Sequence, residues 1–291
     1  MRTRSKTPLV SVIIPTYNRG WTIKEAIDSV LEQDFSDYEL IVVDDGSTDN
    51  TADILQSYGN TITVIHQSNK GVSAARNRGI GASAGRLIAF LDSDDIWLPQ
   101  KLSRQVEFFN NHPDALINQT EEQWIRKGVR VNPKKRHHKF SGMLFERSLE
   151  LCLVSPSAVM IRRQLFDTVG LFDESLPACE DYDLWLRVSC RYPVYLIDTA
   201  LIVKRGGHDD QLSRAAGLDK YRIRALQKVM EGSQLSNDQY QAAIMAIIKK
   251  CKIYADGCRK RGRKNEAIRY DELAQKYKIS ASNYIRIIRD G

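Results

Sequence analysis

A chain of 291 residues and 33.2 kDa can bury a full core and still carry an appendage beyond one large domain. Its five cysteines (Cys152, Cys179, Cys190, Cys251, Cys258) are odd in number and match no zinc spacing, so neither a disulfide framework nor a metal knuckle is indicated, and a reducing cytoplasm is the expected compartment. The net charge of +7 is uneven: from Ile244 onward 13 Lys or Arg face 5 Asp or Glu, so that segment carries +8 and residues 1–243 about −1.

Arg2, Arg4 and Lys6 precede no apolar signal-peptide core, and no apolar run approaches the roughly 20 residues of a membrane span, so a soluble or peripheral protein is expected. Leu9 to Ile14 reads as a first buried strand, stopped by Pro15-Thr16-Tyr17-Asn18. Ile23, Ala26, Ile27, Val30 and Leu31 then form one helical stripe of the kind that packs on a sheet. Leu40 to Val43 is the next strand, closed by the turn Asp44-Asp45-Gly46-Ser47-Thr48-Asp49, in which Ser47 or Asp49 would cap a further helix. Strand, helix, strand is a βαβ unit. Thr61 to Ile65 alternates like a more exposed strand and leads into Lys70 to Gly79, a helix whose small residues allow close approach.

The run Leu87-Ile88-Ala89-Phe90-Leu91 drives directly into Asp92-Ser93-Asp94-Asp95, a buried strand ending in carboxylates. Ligands of open α/β sheets collect at such strand ends, and right-handed crossovers bring Pro15-Thr16-Tyr17, Asp44-Asp45 and Asp92-Ser93-Asp94 to one edge. Asp92 and Asp94 alternate around Ser93, and carboxylates this close stay ionised most easily beside a hard cation such as Mg²⁺ or Mn²⁺. A nucleotide diphosphate is the simplest ligand that brings a metal and a polar body together. The plainer reading of such acids is solvated turn formers or helix caps.

Leu98 to Phe109 reads as a helix and Ala115 to Asn118 as a strand. Arg126 to Lys139 holds seven Lys or Arg, two His and no acid, so it is either a solvated surface loop or a mobile lid that meets an anionic acceptor or a membrane. Ser157 to Ile161 is a further strand, and Gln164 to Val169 a short helix ended by Gly170. In Glu180 to Val188, Asp181 shares a helix face with Leu184, Trp185 and Val188, and an inward acid at a cleft edge suits general-base work. As a solvated first-turn acid it would instead serve the helix dipole. Strands near Val194 to Ile197 and Ala200 to Lys204 precede Gly206-Gly207-His208. Tyr221 to Gly232, Gln239 to Lys264 and Glu266 to Lys276 are helical, with Ile247, Cys251, Tyr254 and Cys258 on one packing face.

Taken together, Val12-Ile13-Ile14-Pro15-Thr16-Tyr17-Asn18-Arg19, Val42-Val43-Asp44-Asp45-Gly46-Ser47-Thr48-Asp49, Gly71-Val72-Ser73-Ala74-Ala75-Arg76-Asn77 and Phe90-Leu91-Asp92-Ser93-Asp94-Asp95 closely resemble the signature of glycosyltransferase family 2, over roughly residues 8–210. The resemblance implies an α/β fold of the GT-A kind, a Rossmann-like, mostly parallel sheet flanked by helices, on residues 1–212. The basic helical region 213–291 lies outside the family pattern. It also implies an inverting hexosyltransferase that uses a nucleotide-sugar, with UDP the expected nucleotide, and a divalent cation, Mn²⁺ or Mg²⁺. By position, Pro15, Thr16, Tyr17, Arg19, Asp44, Asp45, Arg76, Asp92 and Ser93 would hold the donor, with Tyr17 under the base and Asp45 accepting from uracil N–H. Asp94 would be the main metal ligand with His208, Asp92 would meet ribose or metal, and Asp181 would deprotonate the acceptor hydroxyl.

The acceptor is expected to be a glycan or a lipid-linked sugar of the cell envelope, met in the cytoplasm or at the inner face of its membrane. The basic tail would dock on anionic lipid, or its helices would pack on the catalytic domain or on a second copy of the chain. Nucleic acid is not an expected partner, because no reader motif accompanies the charge. A sugar nucleotidyltransferase would need a glycine-rich basic loop where Pro15 to Arg19 stands, and a non-catalytic scaffold sits poorly with intact Asp94 and Asp181.

Overall fold

The computed structural model describes residues 7–132, 134–208, 211 and 217–290, with side chains as far as 281. Asp209, Asp210, Leu212, Ser213, the basic N-terminal residues and the boundary expected at 212/213 lie outside them. In chain order the first half contains β1 (Val10–Thr16), α1 (Ile23–Leu31), β2 (Tyr38–Asp44), α2 (Thr51–Gln56), β3 (Thr63–His66), α3 (Val72–Ala82), β4 (Leu87–Phe90), β5 (Ile96–Trp97) and α4 (Lys101–Asn111). There follow β6 (Ile117–Arg126), β7 (Val129–Val131), α5 (Phe145–Ser148), β8 (Val159–Arg162), α6 (Leu165–Val169), α7 (Glu180–Ser189) and β9 (Tyr195–Gly206). Three helices close the chain: α8 (Asp219–Gly232), α9 (Asn237–Lys260) and α10 (Lys264–Asp290).

One sheet runs β3-β2-β1-β4-β8-β6-β9-β5, with β7 paired to β6. Its first four strands are parallel, and beyond β4 the sheet is mixed: β8 is antiparallel to β4 and β6, β9 is parallel to β6, and β5 antiparallel to β9. Burial on both faces explains the continuous apolar runs of β1 and β4. One face packs Val12, Ile14 and Leu91 against Ile23 and Ile27 of α1 and Leu102 of α4. The other packs Ile13, Ile88 and Phe90 against Ile80 of α3 and Leu184, Trp185 and Val188 of α7.

β1 and β4 pair only as far as Ile13 and Phe90. Pro15, which has no N–H to give to a neighbour, sits just past that point, where the two strands part and open the crevice in which α/β folds bind ligands.

Several elements differ from the sequence reading. β6 continues to Arg126 through Thr120 and Glu122, because β9 and β7 hydrogen-bond its polar half. The two strands expected near 194–204 are one, β9, with register shifts opposite Thr120 and Glu121. The basic segment is not all solvated loop: β7 makes a hairpin with β6, and Lys139 is buried, 2.8 Å from Glu122. Burial alone would raise the Glu122 carboxyl, but Lys139 and then Lys204 draw it down to about 2.

The tail helices pack on the body. Ile223, Leu226 and Val229 of α8 and Ala243, Ile247 and Cys251 of α9 form one core with Phe145, Leu149, Tyr182 and Leu186. Lys249, Lys252, Arg259 and Lys260 form part of the outer face. None of the described helices is long and apolar enough to cross a membrane, and all five cysteines are free thiols.

Small residues let α3 approach β1: a Cβ on Gly79 would lie 2.4 Å from Cγ2 of the fully buried Ile13. Because that branched side chain has no room to move, Gly79→Ala should destabilise the protein by about 1–3 kcal/mol in chemical denaturation. A variant as stable as the parent would show the contact to be looser.

Candidate active site

The loops after β1 and β2 are stitched together before they meet any ligand. The Asn18 N–H donates to Ser47 Oγ (2.9 Å), Thr48 N–H to Asn18 Oδ1 (2.7 Å), and Arg19 N–H to Thr51 Oγ1 (2.9 Å). Asn18 takes a left-handed conformation (φ 51°), which asparagine tolerates better than most residues. Tyr17 stands at the crevice and is 44% exposed, while Pro15 and Thr16 are buried in the strand. Asp44 and Asp45, expected to meet the donor, are buried and largely occupied. Asp44 accepts from Ser47 N–H (3.0 Å) and lies 3.1 Å from His66 Nδ1. Asp45 accepts from Gln67 Nε2 (2.7 Å), Lys70 N–H (2.9 Å) and Gly71 N–H (2.8 Å), which sets the entry into α3.

Beyond Phe90 the chain turns, with the Asp95 N–H donating to Asp92 C=O. Asp95 fixes this turn: Ser157 Oγ donates to its Oδ2 (2.7 Å) and Arg205 N–H to its Oδ1 (3.0 Å). The Arg205 guanidinium also grips Asp94 C=O (2.6 Å) and pairs with Glu25. Ser93 is buried within the turn. Asp92 and Asp94 are left facing the crevice, with side chains 28% and 18% exposed.

Asp94 Oδ2 lies 2.8 Å from His208 Nε2, so the two expected metal ligands do meet. Burial and then the neighbouring Asp92 push the Asp94 carboxyl above its usual range, the condition a bound dication would offset. One carboxylate oxygen and one imidazole nitrogen fit Mn²⁺ or Mg²⁺, ions that commonly take their remaining ligands from phosphate and water. Among the described residues no three His, Cys, Asp or Glu side chains already converge as a closed metal cluster. Trp21, 57% exposed, stands edge-on to His208 at 5.3 Å.

Arg76 is buried beneath this edge. Its guanidinium donates to Asp92 Oδ1 and to Glu180 Oε1, each at 2.7 Å, and lies 5.1 Å from the Phe172 ring. Burial alone would weaken its hold on the proton, but Asp92 and Glu180 reverse this and raise its pKa. The bridge ties the end of β4 to the first turn of α7 and so brings Asp181 to the site. Asp181 is half-buried, with Oδ1 accepting from Tyr182 N–H (2.7 Å). Glu180 and Asp183, which the sequence reading did not single out, are buried more deeply, because α7 is covered by the sheet on one side and the tail helices on the other. Cys179, just before them, holds a left-handed backbone (φ 63°) that a side chain makes costly.

Sequence reasoning missed Lys204. Its ammonium donates to Ser155 Oγ (3.0 Å). Burial opposes its charge, yet the fields of Glu122, Asp95, Asp92 and Asp181 hold its pKa above the usual value, so a cation lies among the acids of both halves of the site. A lysine directly following the apolar run Leu201-Ile202-Val203, near the end of a strand, was the available signal.

The family described as Glycosyl transferase family 2 matches residues 11–170. An uncharacterized glycosyltransferase of Rickettsia typhi is 36% identical over 224 residues, covering 74% of this chain and 69% of that protein. The Escherichia coli protein named UDP-Glc:alpha-D-GlcNAc-diphosphoundecaprenol beta-1,3-glucosyltransferase WfaP is 33% identical over 190 residues, 62% of this chain and 70% of its own. Among solved structures, Staphylococcus aureus TarS 1-349 in complex with UDP-GlcNAc superposes with a TM-score of 0.64 at 20% identity, over 95% of this chain and 91% of that one, a likeness of fold.

Removing Arg76 would strand a buried carboxylate. Arg76→Met should cost about 3–5 kcal/mol, and Glu180→Met in the same chain should recover most of that loss. A single variant unchanged in denaturant midpoint would show that the bridge does not hold β4 to α7.

Proposed function

The chain belongs to glycosyl transferase family 2, and from that membership we propose that it moves a sugar, with inversion, from a UDP-sugar to a hydroxyl of a lipid-linked or glycan acceptor in cell-envelope polysaccharide synthesis. The observation that carries the proposal is the Arg76 bridge, which holds Asp92 and the helix turn bearing Asp181 beside one another; on this reading the first would face the donor and the second the acceptor. The WfaP name supports a UDP-sugar donor and an acceptor carried on a lipid diphosphate.

Tyr17 would stack on the base, and Asp92 would receive ribose hydroxyls with the oxygen that Arg76 leaves open. Asp94 and His208 would hold Mn²⁺ or Mg²⁺, which when bound supplies positive charge opposite the leaving diphosphate. Asp181 would take the proton from the acceptor hydroxyl as that oxygen attacks the anomeric carbon from the face opposite the diphosphate, forming the new C–O bond as the old one breaks. Holding both substrates in line on a rigid sheet edge supplies the entropic part of the rate. The outward cations of α9 and α10 would place the enzyme against the membrane that carries its acceptor.

Incubation with UDP-, GDP- and TDP-sugars and a short-alkyl diphosphate of N-acetylglucosamine, read by mass spectrometry, should give a product one hexose heavier with a UDP-sugar. No product and no nucleotide release from any donor would overturn the reading. Asp94→Asn should abolish the metal-dependent part of UDP binding in calorimetry while the fold survives, and unchanged metal dependence would remove Asp94 from this role. Asp181→Asn should leave UDP affinity within about twofold and lower turnover by about 10² or more. Near-normal transfer would exclude Asp181 as the base.

A further inference from the structure

We propose that the basic hairpin formed by the end of β6, β7 and the turn after it binds the phosphate groups of an anionic acceptor, a substrate class that rests on the transferase reading above. Between Arg126 and Arg136 it carries six Lys or Arg and no acid. Arg126, Lys127, Arg130, Lys134, Lys135 and Arg136 are all exposed, and among the described residues none of them forms an ion pair; the pair in this stretch belongs to the buried Lys139.

Two observations separate this arm from an ordinary solvated loop. It is anchored at its base, where Lys139 reaches Glu122 at 2.8 Å and Thr120 C=O at 2.9 Å, while Trp124 donates to Glu122 (2.9 Å). His137 folds back to within 5.1 Å of the Trp124 ring, and the Arg126 guanidinium lies 5.6 Å from it. It is also fixed beside the site. β6 and β9 are paired to their ends at Arg126 and Gly206, and Lys127 N–H donates to Gly206 C=O (3.2 Å), two residues before His208. Gly207 adopts φ 95°, and a Cβ there would lie 3.2 Å from Lys127 Cγ, so the tip of the hairpin and the His208 loop pass in contact.

Like charges held together on a fixed arm repel one another, and a partner of opposite sign offsets that cost. On the transferase reading the donor diphosphate would be met inside the crevice through a cation on Asp94 and His208, whereas the hairpin lies beside the His208 loop and outside that pair. An acceptor whose reacting sugar lies at Asp181 and whose phosphates trail out of the crevice would be gripped there, by point charges that steer it in and contribute specificity for phosphate-bearing over neutral acceptors.

The test uses the full chain with UDP and Mg²⁺ already saturating the donor site. UDP binding by the parent protein, measured first, tests the transferase reading separately. Inorganic pyrophosphate and the short-alkyl diphosphate of N-acetylglucosamine are then titrated into the parent and into the triple variant Arg130→Ser, Lys134→Ser, Lys135→Ser. The parent should bind both probes, less tightly as salt rises, and the variant should bind both at least 10-fold more weakly while its UDP affinity stays within twofold. The neutral alkyl glycoside of the same sugar should bind both proteins alike. Equal affinity of parent and variant for the phosphate probes overturns the proposal, and so does a variant that loses UDP. Loss confined to phosphatidylglycerol vesicles, with soluble phosphates unaffected, would assign the hairpin to the membrane surface and also overturn it.

Discussion

A guanidinium buried between two carboxylates from segments 104 and 16 residues away in sequence is the contact on which the site depends. Desolvating three charges is expensive, and the cost is offset only when each partner is met with good hydrogen-bond geometry. Arg76 meets it with one nitrogen on Asp92 and another on Glu180, its Cζ 5.1 Å from the Phe172 ring. The arginine can reach because α3 lies close to β1, and α3 lies close because Gly79 leaves room for Ile13. A packing requirement on one turn of the helix therefore sets an electrostatic one on the turn before it. Lysine would not substitute well here, since its point charge lacks the planar fork that spans two acceptors.

The same helix that receives Arg76 is held from outside by the tail. α7 shows Leu184, Trp185 and Val188 to the sheet and Tyr182 and Leu186 to α8 and α9. Tyr182 adds a hydrogen bond from its hydroxyl to Leu149 C=O at 2.7 Å. The region after 213, outside the family pattern, is thus a second wall for the element that presents Asp181. Most of its described basic residues stay outward because the apolar stripe of α9 faces the body, and the buried Lys250 is met by Glu150 C=O at 3.0 Å.

Much of this architecture was legible in the sequence where one local rule dominates. Runs such as Val10 to Ile14 and Leu87 to Leu91 announce strands buried on two faces, and the stripe Ile23, Ala26, Ile27, Val30 announces a helix on a sheet. The meeting of Asp94 with His208 was legible from family pattern, not from spacing. What escaped depends on tertiary pairing. The polar half of β6 carries no alternation, because its partners are hydrogen-bonding strands and a buried Lys139. Glu180 and Asp183 were not singled out because a helix covered on two sides has no polar face for periodicity to report. Lys204 and Glu180 matter through neighbours far away in sequence, and no local pattern records those.

The acids of the site sort by what their oxygens already do. Asp45 is held by three donors of its own chain, and both Asp95 oxygens accept, so these two build the frame. Asp92 spends one oxygen on Arg76, Asp94 faces His208, and Asp181 accepts from its own helix turn. Each of those three is also partly exposed, where Asp45 and Asp95 are buried. Lys204 and Arg76 supply the counter-charge that lets acids gather here before any ligand arrives, one among the carboxylates and one beneath them. The carboxylates still outnumber these two cations, so a bound dication would enter a site that already favours positive charge, held in place by a frame that need not move.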